Sequence, residues 1–241
     1  MSPLAWPIAQ ALARFEAREG RVPPVAQIDE MLSVRAGVRF VPASPRPRRR
    51  VTLDRARLYD ARITQAGEVP TREGNLHDFM NALVWASFPL AKMAIHVRQH
   101  ALIESRIEGS RLPEHRTPEQ DMLAMVDEGG IAVLTTDAAA VEAATEGRDS
   151  DALGRIVAAG RARGAVFGHA LFEHLERKAD TLVWGRAMVL SAHDLMKALD
   201  PAAIDERLAH AIATREVDRD VGSAPLVSSV LTCDEGPRPA A

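Results

Sequence analysis

Three short stretches concentrate side chains that can hold a metal ion or move a proton: residues 71–85, 116–130 and 167–174. In the first, Thr71-Arg-Glu-Gly-Asn-Leu-His-Asp-Phe-Met-Asn-Ala-Leu-Val-Trp85, His77 and Asn81 are four residues apart. On a helix they share a face, with Cβ atoms about 5–6 Å apart. Asp78 is turned about 100° away from His77, so the two need not meet one ligand together. In the third, Phe167-Gly-His-Ala-Leu-Phe-Glu-His174, His169 and Glu173 repeat the four-residue spacing, which lets two side chains grip one ion. The second places Asp127 and Glu128 beside a Gly-Gly pair, after Asp121. Two imidazoles and several carboxylates suit a divalent cation such as manganese, iron, magnesium or zinc.

Each stretch also has a plain structural reading. Asp78 and Asn75 are helix-start residues, and His77 can be a satisfied histidine in the first turn. His169 and Glu173 can form a surface pair of about 0.2–0.5 kcal/mol. Asp and Gly near residue 128 belong to turns for conformational reasons alone.

The elements that must position these residues follow from periodicity. Leu4, Ile8, Leu12 and Phe15 predict a first helix over 3–19, and Val25, Ile28 and Leu32 a second over 25–32. The run from Val41 to Arg50 is rich in Pro and Arg and reads as an exposed loop. Asn75 opens a helix running to about Phe88, and Pro89 breaks it before another over 90–107. Residues 122–135 hold two apolar runs around Glu-Gly-Gly, which predicts a hairpin. Helices are expected over 137–146, 151–163, 168–178 and 201–214, with short strands near 164–167 and 186–191. The class is α+β: a mainly helical single domain over residues 1–217 with one or two short β-hairpins or a small sheet. Residues 218–241 read as a flexible tail.

Composition narrows the function classes. A net charge of −3 gives no general pull towards nucleic acid, and 4% aromatic residues disfavour a single-strand reader. Its one cysteine, Cys233, excludes a disulfide framework within the chain and a Cys-rich zinc site. The start lacks a basic region followed by an apolar stretch, and the most apolar segment, 79–91, falls short of the roughly 20 residues of a spanning helix. A cytoplasmic protein without a membrane anchor is expected. There is no Gly-x-Ser-x-Gly elbow, phosphate-binding Gly-x-x-x-x-Gly-Lys-Ser/Thr loop or His-Glu-x-x-His. The His77-Asp78 doublet invites comparison with HD-type phosphohydrolases, but His77 is the first histidine in the chain and their upstream histidine has no counterpart.

Tyr59-Asp-Ala-Arg-Ile63, Gly67-Glu-Val-Pro-Thr-Arg72, the 75–85 motif, Phe88-Pro89, Asp121–Gly129 and Phe167–Glu173 together resemble a bacterial family known only as domain of unknown function 3025. The resemblance spans residues 59–190. His96 stands where the family pattern has asparagine, and Ala124 and Met125 replace a hydroxyl and an aromatic residue. The family, known mainly from proteobacteria, supplies no activity, cofactor or catalytic residue; it says only which residues belong together.

Two functional readings remain open at this stage. In one, the chain is a metal-dependent hydrolase of a phosphoester or amide. His77, Asp127, His169 and Glu173 are then ligands, Asp78 or Glu128 the general base, and Arg72 or Arg116 the anchor for an anionic small-molecule substrate. In the other, it is a non-catalytic scaffold whose polar residues form a buried hydrogen-bond network, with Arg46–Arg50 meeting a partner. Nucleic-acid binding through that loop is the weakest alternative.

Overall fold

The computed structural model describes residues 21–44, 54–109, 111–177, 183–195, 200–219 and 222–226. The helix expected over 3–19 and the arginines 46–50 lie outside the described residues.

Helix α1 (Val25–Ala36) buries Val25, Ile28 and Leu32, as their spacing requires, and ends at Gly37 with φ 67°. Its successor, strand β1 (Arg39–Pro42), pairs in parallel with β2 (Glu68–Thr71), and helix α2 (Tyr59–Ala66) lies between them in sequence. Val41 and Pro42, expected in a loop, thus belong to β1.

Helix α3 (Leu76–Ser87) is the centre of the molecule. Every residue from Phe79 to Ser87 is buried, the behaviour of a helix that is apolar nearly all round. Asn75 caps it by accepting a hydrogen bond from the Asp78 amide at 3.0 Å. Pro89 starts helix α4 (Pro89–Glu104) at its first position, where a missing N–H costs nothing. Because Phe88 offers no cap, the free amides of Leu90 and Ala91 are taken by the Asp205 carboxylate at 2.9 and 2.8 Å. Asp205 comes from helix α9 (Pro201–Ala213), which packs along α4.

The hairpin expected over 122–135 is replaced by a helix and a strand. Helix α5 (Pro118–Gly129) is followed by β3 (Gly130–Thr135). Thr117 and Gln120 form a reciprocal capping box that launches α5. Met122, Leu123 and Val126 are buried on one helical face, so the apolar run has a period of 3.6 and not 2. Helices α6 (Ala138–Glu146) and α7 (Ser150–Ala158) follow; α7 is shorter than expected because Ala162 already belongs to β4 (Ala162–Val166). Helix α8 (His169–Arg177), β5 (Val183–Ser191), α9 and β6 (Ser223–Leu226) complete the described chain.

The four-stranded sheet has the order β4-β3-β5-β6, with β3 parallel to β5 and the outer pairs antiparallel. All six residues of β3 are buried, as a strand covered on both faces requires. The architecture is α+β, with one core running from α1 through α3 to the sheet. Beyond Val217, where a loose tail is expected, residues 223–226 pair with β5; residues 227–241 lie outside the described part. No helix among the described residues is long and apolar enough to cross a membrane.

Candidate metal centre

Three helix ends meet at one place. His77 stands in the first turn of α3, His169 at the first position of α8, and Glu128 in the last turn of α5. The approach of α8 to α5 depends on Gly168. A Cβ at that position would lie 2.5 Å from the Glu128 carbonyl oxygen and 2.5 Å from the Gly129 Cα. Glycine lets the two backbones touch, and the amides of Phe167 and Gly168 both donate to the Gly130 carbonyl, at 3.0 and 2.8 Å.

The two imidazoles are oriented from behind. His77 Nδ1 donates to Glu173 Oε2 at 2.9 Å, and His169 Nδ1 donates to the Asp127 carbonyl at 2.8 Å. Each ring thus presents Nε2 forward, and these nitrogens are 3.0 Å apart. Burial, then the positive charge of Lys92, brings His169 down to about 3, so its ring is neutral and its Nε2 carries a lone pair. Glu128 Oε2 completes a triangle, 3.4 Å from the His169 nitrogen and 3.7 Å from that of His77. The corners of a triangle with these edges lie about 2.0 Å from a common centre, the length of a bond to zinc. Among the described residues, His77, Glu128 and His169 are the group whose donor atoms are mutually close enough to share one ion.

His169 is buried, His77 partly exposed and Glu128 exposed. Burial raises the Glu128 carboxyl above its ordinary range; His77 pulls it back, while Asp127 adds to the rise. A carboxyl whose charge is disfavoured until a cation arrives is one that gains most from binding it.

The remaining expected residues are placed differently from one another. Glu173, expected as a ligand, orients His77. Asp127, expected as a ligand, lends its carbonyl to His169 while its carboxylate is held by Lys92. Burial alone would raise Asp127, but above all the charge of Lys92, together with its hydrogen bond, brings it to about 2. Asp78 and Arg72, expected as base and anchor, hold each other: Arg72 donates from its amide, Nε and Nη2 to the Asp78 carboxylate at 2.7–2.9 Å. That pairing outweighs burial and keeps Asp78 below the ordinary carboxylate range. Arg116, the other expected anchor, is exposed before α5.

Sequence reasoning missed Lys92. It is fully buried on α4, donates to Asn81 Oδ1 at 2.7 Å and to Asp127, and lies 5.6 Å from the centre of the Trp85 ring. A lone lysine amid Ala91, Met93, Ala94 and Ile95 is the signal that could have found it, since a fully buried lysine needs a partner. Beneath it, His96 stacks on Trp85 and its Nδ1 donates to Asp60 at 2.8 Å.

A family model described as a protein of unknown function, DUF3025, matches residues 38–227. The chain belongs to the DUF3025 family. The match takes in β1 to β6 and with them every residue of the centre, including Lys92 on α4. No curated protein and no solved structure matches this DUF3025 member.

Proposed function

We propose that His77, Glu128 and His169 hold one divalent metal ion, and that the protein is a metal-dependent hydrolase. The observation that carries this reading is the facing pair of Nε2 atoms, 3.0 Å apart with both Nδ1 atoms engaged behind them. Two lone pairs at that distance repel unless a cation or a shared proton lies between them, and Glu128 completes a metal-sized triangle. The surroundings favour a cation as well. Asp78, Asp127, Glu128 and Glu173 lie at the centre, against the two cations Lys92 and Arg72.

Two imidazoles and one carboxylate leave further positions for water and substrate, the pattern of catalytic rather than purely structural metal sites. The ion would lower the pKa of its water and polarise the bond to be cleaved. Glu173 and the Asp127 carbonyl would hold the imidazoles in the tautomer that binds. Arg72 is matched by Asp78, so an anionic group on a small ester, amide or phosphoester would meet the ion itself. The exposed side of Glu128 is where such a substrate would arrive.

The scaffold reading retains one observation, the fully buried Lys92 with its partners Asn81 and Asp127. It accounts for the facing nitrogens by a proton shared between them and gives Glu128 no part. Elemental analysis of untagged protein, with thermal shift on adding zinc or manganese, separates the two. We expect close to one equivalent of metal and a rise in Tm. Less than about a tenth of an equivalent with no shift overturns the metal reading; stoichiometric iron with oxygen-dependent turnover overturns the hydrolase reading.

A further inference from the structure

We infer that Lys92 is the second cation of this centre: a positioning residue whose ammonium occupies the place of a second metal ion and so restricts the site to one. The inference rests on the metal reading above and adds its stoichiometry.

The ammonium has the surroundings of a bound ion. Its nearest polar atoms are two oxygens, Asn81 Oδ1 at 2.7 Å and Asp127 Oδ1, the donor type preferred by manganese and magnesium. Neither oxygen belongs to the triangle of His77, His169 and Glu128. Tyr59 lies beside Asn81 and in the field of Asp127. The oxygen pair, with the Tyr59 phenol beside Asn81, forms a cation pocket that is filled from within by a covalently attached charge.

The pocket is joined to the metal triangle through one residue. Asp127 meets Lys92 with its carboxylate and His169 with its carbonyl. Adjacent in sequence, Glu128 supplies the third corner. A fixed ammonium neutralises Asp127 without competing for the ligands in front, and its charge is felt at both His169 and Glu128. The Asp127 carboxylate lies behind His169, with Oδ2 3.9 Å from Nδ1, so the ammonium reaches the metal triangle through Asp127 and the His169 ring.

The test is a manganese titration of the apo full-length chain, followed by electron paramagnetic resonance. Wild type is expected to bind one Mn²⁺ with the six-line signal of an isolated ion. Lys92→Ala is expected to take up a second equivalent, whereas Lys92→Arg, which keeps the charge, stays at one. If the alanine variant does not fold, Asp127→Asn serves instead. It keeps the carbonyl on His169 but strips the ammonium of its counter-charge, so the first ion should bind about tenfold more weakly. Two ions in wild type, one ion at unchanged affinity in Lys92→Ala, or unchanged affinity in Asp127→Asn overturns the role of Lys92 alone. No ion in wild type overturns the metal reading beneath it.

Discussion

Helices α4 and α5 are clamped at both ends by a cation from α4, and the two clamps are built differently. At one end Lys92 meets Asp127; at the other Arg98 meets Glu119. Both terminal nitrogens of Arg98 are fully used: its guanidinium also donates to both Asp218 oxygens at 2.8 and 2.9 Å and to the Ile212 carbonyl at 2.8 Å. Arg215 closes the ring by donating to Glu119 and Asp218. Donors and acceptors are matched, and nothing in that ring asks for a ligand. The Lys92 end is matched only at its base; in front of Asp127, two imidazole acceptors and a carboxylate face one another. A closed charge network holds helices together, whereas an open one of the same residue types has binding capacity left over.

The comparison can be broken most directly by removing a front ligand. His169→Ala is expected to weaken metal binding by more than about a hundredfold, measured by competition with a chelator, since losing even an outer partner costs up to that much. Arg98→Met should leave the same affinity unchanged. The reverse holds for stability, where Arg98→Met leaves Glu119 and Asp218 with the exposed Arg215 alone and should cost about 1–2 kcal/mol in urea unfolding. Glu173→Gln sharpens the contrast, because it keeps the shape behind His77 but weakens its orientation. Metal affinity should drop about tenfold with stability little changed.

Acid tests the closed ring. Burial would raise Asp218, but its bonds to Arg98 and Arg215 hold it below the ordinary carboxylate range. Its contribution is therefore complete above the unfolded value of about 3.9 and is lost as pH falls through the lower folded value. Unfolding midpoints measured from pH 5 downwards should fall less steeply in Arg98→Met than in wild type. The smallest effect expected is that of Asn75→Ala, about 1 kcal/mol for a lost helix cap, with the metal centre intact in a titration.

Much of the open end was legible from short-range rules. Asn75 announces α3, Pro89 separates it from α4, and the spacing of His77 and His169 within their motifs singles them out. What local spacing could not supply was division of labour. Asp127 and Glu128 are neighbours, yet one turns back to Lys92 and the other forward, a choice made by how α4 lies against α5. The 122–135 segment misled because Met-Leu-Ala-Met-Val fits a strand when Thr117 and Gln120 are overlooked as a helix start. Asp205 and Arg98 act on partners more than a hundred residues away in sequence, beyond the reach of any local pattern.

The contact at Gly168 gives this centre an off switch that touches no ligand. One added methyl group there would wedge α8 away from the end of α5 and carry His169 out of range of Glu128, leaving every donor in the sequence and none of the grip. The centre therefore depends on a residue with no side chain as much as on those that would hold the ion.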